Sequence, residues 1–67
     1  MKYEMISALI KDCHAKIAMA KCNVYAFLET PCGVGDHPNI METIQGQIDI
    51  ISQNKDRLNV LETDFYD

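Results

Sequence analysis

The chain has 67 residues, with six Lys and Arg against ten Asp and Glu, for a formal net charge of −4. That length makes one domain at most, burying only about 60% of its unfolded surface, and excludes an enzyme of two lobes or a separate cofactor domain. The acidic balance and the 7% aromatic content argue against DNA or RNA as partner, because neutralising phosphates dominates that affinity.

No apolar run approaches the ~20 residues of a membrane span, so no membrane association is expected. The opening MKYEMISALIKDCH lacks the basic, apolar and small-residue regions of a signal peptide, and a cytoplasmic location follows as an expectation. Cys13, Cys22 and Cys32 are odd in number and without close spacing, which suits reduced thiols. A core this small, without disulfides, is most readily reinforced by self-association.

Residues 2–29 contain neither Gly nor Pro. Tyr3, Ile6, Ile10, Cys13, Ile17, Ala20, Val24 and Phe27 recur at alternating three- and four-residue steps, which predicts a helix about 42 Å long. A second set, Ala8, Ala15, Met19, Cys22 and Ala26, lies roughly opposite. A helix apolar on two sides is buried on two sides, and one neighbouring helix covers one of them. The expectation is a homo-oligomer, a dimer or tetramer. The plainer reading is that these alanines are helix formers on a solvated face.

Residues 30–38, TPCGVGDHP, hold both prolines and two of the three glycines. Punctuation concentrated there predicts a single turn between two long elements. Residues 39–63 form the second element. Ile40, Ile44, Ile51, Leu58, Leu61 and Phe65 line one side, with Met41 and Ile48 beside them and Gln47 and Asn54 at the border. Such border polars can fix register. Asp36 or His37 is placed to cap this helix and Pro38 suits its first turn. The acidic end, Glu62, Asp64 and Asp67, predicts a frayed last turn, since negative charge opposes the helix dipole there. Gly46 costs about 1 kcal/mol inside a helix, which a close helix crossing would explain. The fold class expected is all-α: two long antiparallel helices joined by a Gly/Pro loop and assembling as a homo-oligomeric bundle.

The loop carries the chemistry. Gly33 and Gly35 leave backbone amides uncovered just before a helix start, whose own first amides are unpaired and partly positive. Such amides cradle anions, and His37 adds a donor. The G-K-[ST] of a phosphate-binding P-loop is missing. The competing reading is a two-glycine interhelical turn with a side-chain cap. Tyr25 and Val34 are placed to pack on a base and Lys21 to reach a phosphate. Lys11 and Lys16 would approach a loop only from another subunit. The C-x8-C-x9-C-x4-H spacing ending at His37 is not that of a compact zinc site. No cofactor or metal is expected, and no acid–base or nucleophile constellation speaks for catalysis.

The run TPCGVGDHPNIMETIQGQIDII, followed by NKDRLNVLE, resembles small phage proteins built as a helix, a Gly-x-Gly-[Asp/Glu]-His-Pro loop and a second helix with a Leu-x-Val-Leu pattern. Through them it is similar to the phage anti-CBASS sponges, oligomeric proteins that sequester cyclic nucleotide signals of bacterial antiviral defence. The resemblance spans most of the chain and is specific only at Gly33, Gly35, Asp36, His37 and Pro38. It implies a non-catalytic protein in the cytoplasm of an infected bacterium, with a cyclic di- or trinucleotide as ligand. Asp36 stands where Glu is more usual, which puts that position's role in doubt. A structural phage protein, or a helical adaptor without a small ligand, is the other class the sequence allows.

Overall fold

The computed structural model describes residues 1–29 and 39–65. Two helices, α1 (Lys2–Leu28) and α2 (Ile40–Val60), pack side by side, and α2 continues into a π-helical turn, Leu61–Phe65. No strand occurs among the described residues. The helices are antiparallel, since Asn23 meets Gln47 near one end and Cys13 packs with Leu58 toward the other. The shape is thin, 49 × 15 × 13 Å, with a radius of gyration of 15.4 Å, where a compact chain of this length would have about 11 Å.

The seam follows two strict four–three repeats. On α1 it is Ile6, Ile10, Cys13, Ile17, Ala20, Val24 and Phe27; on α2 it is Ile40, Ile44, Gln47, Ile51, Asn54, Leu58 and Leu61, all buried or half-buried. This is the spacing that keeps one line of side chains facing a neighbouring helix. Its densest part is Cys13, Ile17 and Leu58, with Ile10, Ile51 and Leu61 against them. Cys13 is thus a small core residue, inert by burial.

Several expectations need correction. Gln47 and Asn54 sit within the seam and not at its border; Asn54 is only 1% exposed. Tyr3 and Phe65 are exposed. Tyr3 lies beyond the first seam residue of α1, Ile6, and the wider π turn rotates Phe65 off the line that an α-helix would keep. The cap of α2 is Asn39, and Asp36, His37 and Pro38, expected at this helix start, lie outside the described residues. Asn39 makes no side-chain cap bond; its carbonyl accepts both the backbone N–H (3.0 Å) and the hydroxyl (3.1 Å) of Thr43.

The expected fraying of the last turn is replaced by that π turn through Phe65. There the Thr63 hydroxyl donates to the Asn59 carbonyl at 2.7 Å and to Asp64 Oδ1 at 3.2 Å, while the Leu61 N–H is shared between the carbonyls of Arg57 and Leu58. Such side-chain bonds to preceding carbonyls commonly perturb a helix.

Gly46 is exposed on α2. A Cβ built there meets nothing within 4 Å, so no close crossing inside the hairpin explains it. Gly46→Ala should therefore stabilise the fold by about 1 kcal/mol through helix propensity and a less free unfolded chain. The check is a denaturant or thermal melt; a lowered midpoint would mean that another helix crosses at this point in the native assembly.

Candidate functional site

The residues proposed for ligand binding fall into two groups. Lys21 and Tyr25 lie four residues apart on α1, so their side chains share a face. Both are exposed, Tyr25 at 61%. Lys21 has no ion-pair partner among the described residues. They occupy the last turns of α1, where the Glu29 N–H closes the helix on the Tyr25 carbonyl at 3.0 Å. A cation and an aromatic ring thus stand beside the point where the chain leaves for the loop. Gly33, Val34, Gly35, Asp36, His37 and Pro38 lie outside the described residues, as does Cys32.

Of the other lysines named for an approach from a second subunit, Lys16 is held in an ion pair with Asp12 at 2.9 Å, both side chains about half exposed. Lys11 is exposed. His14 and Cys22 are also exposed, while Cys13 is buried, so the three do not share a site. Among the described residues no three His, Cys, Asp or Glu side chains gather as metal ligands, and no helix is long and apolar enough to cross a membrane.

The sequence reading missed a polar band across the seam. Asn23 Nδ2 donates to Gln47 Oε1 across the helices at 3.0 Å. Further along, Asn54 Nδ2 donates to the Ile50 carbonyl at 2.8 Å, while its buried Oδ1 has no hydrogen-bond partner among the described residues. An unsatisfied buried acceptor costs roughly 1–3 kcal/mol. The signal was present in the spacing: Gln47 and Asn54 complete the four–three repeat of the isoleucines and leucines around them.

Beside this band, one flank of the hairpin carries two open grooves of about 510 Å³ each, which share Gln53 and Arg57. Toward the chain termini the walls are Leu9, Val60 and Leu61; toward the loop they are Met19, Ile50 and Asn23. Leu9, Met19, Ile50 and Val60 are all exposed. The stripe Ala8, Ala15, Met19, Cys22 and Ala26 is exposed along its whole length within the single hairpin. No protein-family model, curated protein or solved structure matches the chain.

Asn54→Leu keeps the branching of the side chain and removes the orphaned oxygen. It should raise stability by about 1–2 kcal/mol, measurable by urea unfolding. A drop would mean that Oδ1 has a partner in the native assembly.

Proposed function

We propose that the chain is a non-catalytic, self-associating binding protein that sequesters a cyclic oligonucleotide immune signal, a cyclic dinucleotide such as cGAMP, and so blunts CBASS antiphage defence in an infected bacterium. The observation that carries this reading is the exposed Lys21–Tyr25 pair on one face of α1 next to the loop. A ring that stacks on a base and an ammonium beside it are what a nucleotide requires. Stacking on an aromatic side chain is worth about 1–3 kcal/mol per base. The amides from Gly33 to Pro38 would hold a phosphate, with His37 as an added donor. So thin a hairpin offers no deep enclosure, and the site would be completed by a second copy in a homo-oligomeric bundle. The net charge of −4 opposes an anionic ligand weakly, because charges beyond about 8 Å are screened.

A second reading, a structural or assembly protein or a helical adaptor, draws on a different observation. Met5, Leu9, Val60 and Phe65 are exposed at the end of the hairpin remote from the loop, where a loop ligand would not cover them.

A thermal-shift screen against cyclic di- and trinucleotides, with mononucleotides and phosphate as controls, separates the two. A ligand at 100 times its Kd should stabilise by about 2.7 kcal/mol. Tyr25→Ala and His37→Ala should each weaken binding by roughly tenfold or more, and Lys21→Glu likewise. No shift with any cyclic nucleotide would leave the assembly reading in its place.

A further inference from the structure

The seam accounts for one side of α1, and a second ordered line runs along the groove flank. Met5, Leu9, Asp12, Lys16, Met19 and Asn23 recur at alternating four- and three-residue steps, so they share one face. Five are exposed and Lys16 is half-buried.

The order of this line is close to palindromic. Asp12 and Lys16 lie two residues either side of position 14, Leu9 and Met19 five, and Met5 and Asn23 nine. The apolar pair is symmetric about that point and the charged pair is opposite in sign. A two-fold, antiparallel pairing of identical helices places residue i of one copy against residue j of the other and j against i. Centred on position 14, it sets Leu9 on the second copy's Met19 and Asp12 on the second copy's Lys16, twice over.

We infer that this face, with the groove it borders, is where a second copy of the chain docks, antiparallel and centred on the level of residue 14. The inference rests on the self-association in the proposed function and names its surface.

Three features support the second copy as occupant. First, the charges are self-complementary only in the antiparallel sense; a parallel pairing in register would set Asp12 on Asp12 and Lys16 on Lys16. The existing Asp12–Lys16 ion pair would become a ring of four charges alternating in sign. Such rings contribute mainly to specificity and alignment. Second, the apolar material flanks the charges on both sides, and it comes from both helices: Leu9 and Met19 on α1, Val60 and Ile50 on α2. Third, the Ala8, Ala15 and Cys22 stripe lies further round α1, away from α2, so a copy docked there would leave Ile50 and Val60 uncovered.

The test is charge reversal read by sedimentation of the full chain, with circular dichroism to confirm that each variant keeps its helices. Asp12→Lys and Lys16→Asp each set like charges across the contact and should weaken self-association by roughly tenfold or more. An equimolar mixture of the two variants should restore a heterodimer, and the double variant should pair again with itself.

A wild-type chain that stays monomeric overturns the self-association on which the inference rests. Wild-type association that neither reversal disturbs overturns this face alone, and dissociation by Cys22→Glu in that case would assign the contact to the small-residue stripe. Single variants that dissociate but fail to recombine would overturn the antiparallel alignment.

Discussion

A pair of helices has one line of contact, and the rest of this structure follows from that. Each helix can turn a single row of side chains toward its neighbour, so the hairpin buries little. Among the described residues the buried apolar side chains are Cys13, Ile17, Ala20 and Leu58. No layer lies behind them. An isolated core of this size is marginal, and every apolar side chain outside the row remains at the surface until something else covers it.

That constraint also explains which parts of the fold were legible in the sequence. The seam of α1 was readable nearly residue by residue, because Ile6, Ile10, Cys13, Ile17 and Val24 carry the repeat with few interruptions. In α2 the same repeat is carried through two amides, and reading by hydrophobicity alone moved Gln47 and Asn54 to the border. Periodicity was the better guide there than residue type. The errors at Tyr3 and Phe65 have another origin. Periodicity places a residue on a face but says neither how far along the helix the seam extends, as at Tyr3, nor where the helix changes its winding, as in the π turn at Phe65. The cap at Asn39 was missed because Asp36 and His37 are stronger side-chain candidates, whereas the helix uses the Asn39 carbonyl.

The candidate site was legible to a lesser degree. That Lys21 and Tyr25 share a face follows from their spacing, and their exposure follows from the seam lying elsewhere on α1. The loop residues that carry the resemblance to phage sponges have chemistry apparent from composition alone, two glycines and a histidine before a helix. Their position relative to Lys21 and Tyr25 depends on tertiary geometry that no local pattern specifies.

The polar band has an effect on how evenly the hairpin holds together. On the terminal side of Asn54 lies the dense cluster of Cys13, Ile17 and Leu58. On the loop side the seam residues Val24, Phe27, Ile40 and Ile44 are only half-buried. The Asn23–Gln47 bond that separates them is exposed to competing water. Elements with few buried contacts open at lower free energy than the whole fold. The seam is therefore packed more densely around Cys13, Ile17 and Leu58 than beyond the Asn23–Gln47 bond. Local opening of the seam is accordingly easier at the loop end than at the Cys13, Ile17 and Leu58 cluster.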